Sequence, residues 1–405
     1  MTNSARIAIV HDWLDSFGGA ERLVAELLDA FEDADMYTVF DLRREPDHGP
    51  FANTTIRTSP LNNLPMVRKY YRNLLLLAMR AVEGFDLSNY DAVISSSAAV
   101  AKGCITHPDQ PHIAYVHTPA RYAWSLQAEY LSQIEGRMAG LRRMIARELL
   151  HRFRLWDMRT SQGVNLFVAN SRFIQRRIWK TYRRRSTVVY PPIDTSSFLL
   201  SDKPKENFYV TASRMVPYKR IDLIVEAFST TPDRRLVVIG DGPEMGRIKK
   251  KATPNIEILG YQSNTVMLDL FQRARAFVFA AREDFGIVPV EAQACGTPVI
   301  ALGQGGTAET IRGLGAFDQP TGVWFQQQTA GDIREAVDRF EQNLDSFDPS
   351  YCRANAEFFS AARFKREMQE LVEIGLSRGF PEEQVLDVDL GSTSHLPEKP
   401  ALVGI

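Results

Sequence analysis

The segment REDFGIVPVEAQACG, residues 282–296, carries two carboxylates, Glu283 and Glu291, eight positions apart and directly after the apolar run Ala276–Ala281. Pro289 suits the first turn of a helix and Gly296 the position just past its end. The loop Glu283–Ile287 is then expected at the carboxyl end of a strand, ahead of a helix amino terminus. Backbone N–H groups and the positive end of the helix dipole favour an anion there, such as a phosphate. Both carboxylates can accept hydrogen bonds from hydroxyls, and at this separation they could hold both ends of a sugar nucleotide. By spacing alone the pair fits a blander arrangement equally well, with Glu291 merely favouring a helix start and Glu283 a solvated loop acid.

Three further stretches carry polar residues at strand ends. In SRMVPYKR, residues 213–220, Arg214 is expected to end a strand and Lys219 to begin the next helix. An arginine fork and a lysine point charge suit a diphosphate leaving group, whose negative charge grows as its bond to a sugar breaks. Taken alone, a solvated basic turn explains them as well. In HDWLDSFGGAE, residues 11–21, Gly18 and Gly19 permit close backbone approach to a ligand at a helix start. The pattern is neither a GxGxxG fingerprint nor a P-loop, which weakens any dinucleotide or ATP reading. In VHTPARYAW, residues 116–124, His117 ends an apolar strand, where it can donate to a ligand oxygen or serve as a structural donor. The GDGP turn at 240–243 reads as plain turn chemistry. No cluster has metal-ligand spacing, no Gly-x-Ser-x-Gly elbow occurs, and no cysteine has an evident histidine partner, so hydrolase and metalloenzyme readings lose ground.

Positioning these residues requires an α/β frame. Short β-branched runs alternate with helical periods: Arg6–Asp12, Asp91–Ser97, His112–Thr118 and Leu166–Ser171 read as strands in the first half. Gly19–Phe31 places Leu23, Val24, Leu27, Leu28 and Phe31 at helical spacing. VVYPPIDTSS, residues 188–197, breaks the pattern and is the best linker candidate. Beyond it, Phe208–Arg214, Arg235–Gly240, Ile256–Leu259, Ala276–Ala281 and Pro298–Leu302 read as a second set of strands. The expected fold is therefore two doubly wound, Rossmann-like domains, 1–190 and 191–360, facing a cleft where open α/β sheets bind ligands. A late helix within 361–380 is expected to cross back to the first domain, and 381–405 reads as a disordered tail.

The bulk numbers set limits. With 405 residues, 44% hydrophobic, 24% charged and a net charge of −1, the chain reads as an ordinary two-domain globule rather than a general polyanion binder. Cys104, Cys295 and Cys352 are odd in number and widely spaced, which fits a reducing compartment. The longest apolar run, Leu74–Met79, is too short to span a bilayer, and the amino terminus lacks a secretory apolar core, so a cytoplasmic location is expected.

Taken together and in this order, the motifs resemble the retaining family 4 glycosyltransferases of the GT-B fold over roughly residues 6–375. HDWL with GGAER, ISSSAAVAKG, YVHTPARYAW and RRIWKTYRR are further similar to bacterial mannosyltransferases that build O-antigen or exopolysaccharide repeat units. The resemblance implies hexose transfer, most specifically of mannose from GDP-mannose, with no bound metal or other cofactor. It implies that Arg214 and Lys219 bind the donor diphosphate and that Glu291 binds the ribose. Glu283 would hold sugar hydroxyls, with backbone groups of Phe285, Gly286 and Ile287 beside it. Gly18 and Gly19 would lie near the diphosphate and acceptor, on the acceptor-side domain, and His117 near the sugar. Reaction would proceed on one face of the donor, the leaving phosphate helping to deprotonate the acceptor. Glu283 is then not a nucleophile of the kind retaining glycosidases use.

A charge asymmetry hidden in the net charge bears on the acceptor. Residues 141–185 contain thirteen Arg/Lys against Glu148 and Asp157, interleaved with Met144, Leu149, Phe153, Leu155, Trp156, Phe173 and Trp179. Such a surface suits an anionic bilayer or a lipid diphosphate, and implies a lipid-linked saccharide acceptor at the inner face of the plasma membrane. Arg68–Arg72, with Tyr70 and Tyr71, forms a second such patch. Ordinary solvated helix faces explain both patches too, and no nucleic-acid-binding signature accompanies them. Two other functions use the same residues: a sugar-nucleotide epimerase of similar fold, which needs no acceptor, and a non-catalytic sugar-nucleotide-binding protein.

Overall fold

A computed structural model describes residues 5–43, 49–52 and 54–380. The expected tail at 381–405 lies outside the described residues. The chain forms two compact units, one running to Tyr190 and resumed from Phe364, the other Pro191–Arg363.

The first unit holds a seven-stranded parallel sheet. Its strands are β1 (Ile7–Leu14), β2 (Asp35–Asp41), β3 (Ile56–Thr58), β4 (Ala92–Ser97), β5 (His112–Val116), β6 (Leu166–Ala169) and β7 (Ser186–Val188), in the order β3-β2-β1-β4-β5-β6-β7. The order reverses between β1 and β4, so the loops leaving their carboxyl ends diverge at that point and open space beside the sheet edge. Strand register sets His11 of β1 against Ser96 of β4. Both faces are covered, which is why β1, β4 and β5 are almost wholly buried. The helix Gly19–Ala30 buries Leu23, Val24 and Leu27, each contributing roughly 1.5–3 kcal/mol by leaving water. On the same face, the last helix, Ala361–Arg378, buries Phe364, Met368, Leu371 and Val372. Gln369 Nε2 donates to Ala30 O at 2.8 Å, tying that helix to the end of Gly19–Ala30.

The second unit holds a six-stranded parallel sheet. Its strands are β8 (Phe208–Ala212), β9 (Arg235–Ile239), β10 (Ile256–Gly260), β11 (Ala276–Phe279), β12 (Val299–Leu302) and β13 (Gly322–Phe325), in the order β10-β9-β8-β11-β12-β13. Here the reversal falls between β8 and β11, which places the loops around Arg214 and Glu283 next to one another.

Four strands escape the sequence reading. β2, DMYTVFD, has acids at both ends although its five central residues are buried. β3 and β7 are only three residues long, and β7 takes Val188 out of the expected linker. β13 opens on Gly322, a residue that weakens a strand prediction. A Cβ there would lie 2.0 Å from Val299 O, so the glycine is what allows β13 to pair with β12.

Candidate active site

In the second unit the site loops are stitched backbone to backbone. β8 ends at Ala212, two residues short of Arg214, and Lys219 closes a 3-10 turn, Pro217–Lys219, instead of opening the helix Ile221–Ser229. Arg214 thus lies in a loop, not at a strand end. The GDGP turn holds that loop: Ser213 N–H donates to Ile239 O at 3.1 Å and Met215 N–H to Asp241 O at 2.8 Å. Gly240 and Gly242 have φ of 127° and 154°, and a Cβ on them would lie 1.9 Å from Ser213 O and 2.4 Å from Met215 O. The turn is therefore part of the scaffold beneath Arg214. Arg214 itself is exposed, and its guanidinium makes no ion pair or hydrogen bond among the described residues.

Lys219 and Glu283 come together, with Nζ 2.5 Å from Oε1. The ammonium also sits 5.7 Å from the centre of the Phe279 ring and 5.4 Å from that of Tyr218. Each side chain of the pair is about one-sixth exposed, at 17% and 14%, so the pair is sheltered but reachable. Gly286, at φ 94° and ψ 70°, caps the helix Ile287–Ala294 in a left-handed conformation that disfavours a side chain. That helix start leaves N–H groups at the strand edge beside Glu283. Glu291, 2% exposed, lies on the same helix one turn further along. Phe285 is buried edge-on against Phe359, with ring centres 5.4 Å apart.

Sequence reasoning missed Gly305 and Gly306. Gly306 N–H donates to Glu283 O at 2.8 Å, and a Cβ on Gly306 would lie 2.2 Å from Phe285 Cα. Gly305, at φ 79°, would bring a Cβ to 2.4 Å from Glu283 O. The available signal was GQGGT directly after β12, a glycine pair following a strand as at Gly18–Gly19.

In the first unit the site is made of side chains. Gly18 caps the helix Gly19–Ala30, and its N–H donates to Glu21 Oε2 at 2.9 Å. The unpaired amides that a helix start offers to a ligand therefore begin at Gly19. His117 follows β5; its N–H donates to Ser97 O at 2.9 Å, and its own carbonyl accepts from Asn170 Nδ2 at 2.9 Å. Its Nε2 lies 2.8 Å from Ser96 Oγ. Burial, and secondarily the nearby His11, push its pKa down to about 3, so the imidazole is neutral at physiological pH. Buried His11 places Nδ1 3.1 Å from Ser96 Oγ and 3.2 Å from Ser96 O, and Nε2 3.9 Å from Glu21 Oε1. The chain Gly18–Glu21–His11–Ser96–His117 thus joins the glycine loop to the histidine. Asp12 fixes the same edge: its two carboxylate oxygens accept the N–H groups of Ala98, Ala99, Val100 and Ala101 at 2.6 to 2.9 Å.

The basic segment divides by helical period. Phe153, Trp156 and Phe173 turn into the core rather than outward, and Asp157 is paired with buried Lys102 at 2.7 Å. Leu141, Met144, Ile145, Leu149, Leu155 and Trp179 are exposed. In the second patch Tyr70 is exposed, but Tyr71 is buried and donates to Asp15 Oδ2 at 2.5 Å. Among the described residues no group of three His, Cys, Asp or Glu could hold a metal, and no helix is long and apolar enough to cross a membrane. A cavity of about 450 Å³ lined by Lys205, Asn207, Arg275 and Pro298 lies at the opposite, amino end of the second sheet, away from this chemistry.

Residues 17–197 match the family model described as Glycosyltransferase Family 4, and residues 193–356 match that described as Glycosyl transferases group 1. Both are glycosyltransferase models, and together they span residues 17–356. Among curated relatives, this chain is 31% identical over 178 residues to a D-inositol 3-phosphate glycosyltransferase of a Mycobacterium species, covering 38% of this chain and 39% of that one. It is 35% identical over 114 residues to the GDP-mannose-dependent monoacylated alpha-(1-6)-phosphatidylinositol monomannoside mannosyltransferase of Corynebacterium glutamicum, covering 24% of this chain and 30% of that one. The chain matches less than half the length of these relatives. Its fold is shared with Anabaena HepE, solved in complex with UDP and glucose, at a TM-score of 0.65 and 16% identity, over 90% of this chain and 99% of that one.

Proposed function

We propose that this glycosyltransferase moves a hexose, mannose from GDP-mannose, with retention of anomeric configuration, to a lipid-linked saccharide acceptor in bacterial surface polysaccharide synthesis. The observation that carries the transfer chemistry is the sheltered Lys219–Glu283 pair beside the Gly286 helix cap. A donor diphosphate offers Lys219 a stronger partner than one carboxylate, and unpaired Arg214 supplies a second cation. As the bond to the sugar breaks, charge accumulates on the diphosphate, and these cations stabilise the transition state more than the ground state. Glu283, released from the lysine, accepts hydrogen bonds from sugar hydroxyls, alongside the backbone of Phe285, Gly286 and Ile287. Glu291 takes the ribose. From the first unit, Gly19 amides and neutral His117 are assigned to the diphosphate and sugar by the family resemblance, and the leaving phosphate accepts the acceptor's proton. No covalent intermediate is needed, and no metal or other cofactor is assigned a role.

The choice of mannose and GDP is supported by the Corynebacterium relative, whose name specifies that donor. The lipid-linked acceptor and a peripheral position at the inner face of the plasma membrane are supported by the helix Ala139–Thr160. It exposes Leu141, Met144, Ile145 and Leu149 beside exposed Arg142, Arg147 and Arg152. Each cation near an anionic surface contributes about 1 kcal/mol.

Thermal-shift measurements with GDP-mannose, UDP-glucose, UDP-N-acetylglucosamine and the free nucleotides test the donor. Ligand at one hundred times its Kd adds about 2.7 kcal/mol. A shift with GDP compounds, lost in Arg214→Ala and Glu291→Ala, is expected; preference for UDP compounds discards mannose, and no shift discards the donor site. Salt-sensitive sedimentation with anionic liposomes, reduced in Met144→Asp/Ile145→Asp, is expected for the membrane contact; equal sedimentation with and without liposomes at low salt removes it.

A further inference from the structure

The hydrogen atoms in the chain through Ser96 can be placed by elimination. Ser96 O is a carbonyl and only accepts, so its 3.2 Å contact with His11 Nδ1 is a hydrogen bond only when that nitrogen carries a proton, and the assignment rests on that contact. That nitrogen then cannot accept from the Ser96 hydroxyl, which lies 3.1 Å from it. Ser96 is fully buried, and among the described residues its hydroxyl has hydrogen-bond partners only in His11 and His117. A buried hydroxyl proton left without an acceptor is costly, so it goes to His117 Nε2 at 2.8 Å. The neutral ring of His117 must then hold its own proton on Nδ1. That atom has no hydrogen-bond partner among the described residues and is not fully buried. Glu21 stands behind His11 Nε2 and also binds the Gly18 N–H, so the arrangement is continuous with the helix start.

We infer that Ser96, His11 and Glu21 are positioning residues that hold His117 in its Nδ1–H form and present that N–H as a donor to a hydroxyl oxygen of the bound sugar. This rests on the transfer reading for the identity of the ligand, but the tautomer itself does not. An unrestrained neutral imidazole in water favours Nε2–H, so the assignment runs against the default. The acceptor side of His117 is thereby spent inside the protein, and the residue acts as a donor, not as a base.

The test uses the full chain labelled with [15N]histidine, without ligand, and two-bond proton–nitrogen correlation spectra. The His117 signals are identified by their loss in His117→Gln. A protonated Nδ1 and an unprotonated Nε2 are expected, whereas the Nε2–H pattern overturns the inference. Ser96→Ala should shift His117 towards a mixture of tautomers and lower kcat/KM about tenfold, with Ser96→Thr restoring both. An unchanged His117 spectrum in Ser96→Ala, or unchanged turnover despite a changed spectrum, overturns the positioning role. The spectra require no turnover, so a chain that transfers no sugar yet shows the Nδ1–H pattern refutes the proposed reaction and leaves the tautomer assignment standing.

Discussion

The carboxyl edges of the two sheets are built by different means. In the second unit, loops meet through main chain: Gly240, Gly242, Gly305 and Gly306 stand where any Cβ would strike a neighbouring backbone atom, and the charged side chains ride on that frame. In the first unit, His11, Ser96 and His117 project from β1, β4 and the end of β5 and hold one another by side-chain hydrogen bonds. A main-chain frame suits a ligand with fixed, dense charge, because its geometry survives changes of side chain. A side-chain relay is softer, and its members are groups that titrate and change tautomer.

Three measurements separate the two designs. Lys219→Ala should have the largest effect, lowering kcat about 10²- to 10³-fold as a cation at the developing charge is lost, with Lys219→Arg recovering only part because the fork cannot copy a point charge. Steady-state rates on the full chain check this, and a loss below fivefold would place the diphosphate elsewhere. Gly306→Val forces the Glu283–Phe285 loop to move and should weaken donor binding about a hundredfold, or ~2.7 kcal/mol, by calorimetry. Binding within twofold of the parent would show that the frame is not required.

The third effect is a pH dependence of stability in the first unit. His112 and His117 are pushed down from 6.5 to about 4 and about 3, chiefly by burial. Each binds its proton more readily when unfolded, so stability is complete above pH 6.5 and is lost as pH falls below it. Near pH 5 the slope should approach about 1.4 kcal/mol per pH unit for each histidine. Urea unfolding from pH 7 to 5 measures it, and His117→Gln should remove its share; a flat profile would mean that neither ring is held neutral by burial.

What could be read from the sequence follows the same division. Runs such as IAIV and AFVF announce buried parallel strands, and glycines and carboxylates directly after them mark loops at the sheet edge. Those signals are local. β2 is masked by its terminal acids and β13 by its opening glycine, whose reason, the approach of Val299 O, is a tertiary contact. The relay was illegible because His11 and Ser96 are 85 residues apart and Ser96 and His117 are 21 apart; only strand register brings them together. The outward aromatic face assumed for 141–185 was too generous, since Phe153 and Trp156 fall on the buried side of their helix.

The burial of Phe364, Met368, Leu371 and Val372 against Ile7, Ile9, Leu23 and Leu27 bears on how the protein is made. The described residues of the second unit, Pro191–Arg363, are contiguous and can close as they leave the ribosome. The first unit begins earlier but finishes later, because its apolar face stays open until the last helix has emerged. During synthesis the part translated first is therefore the part that waits, and a stalled or truncated chain ending before Phe364 would present that face to chaperones and proteases.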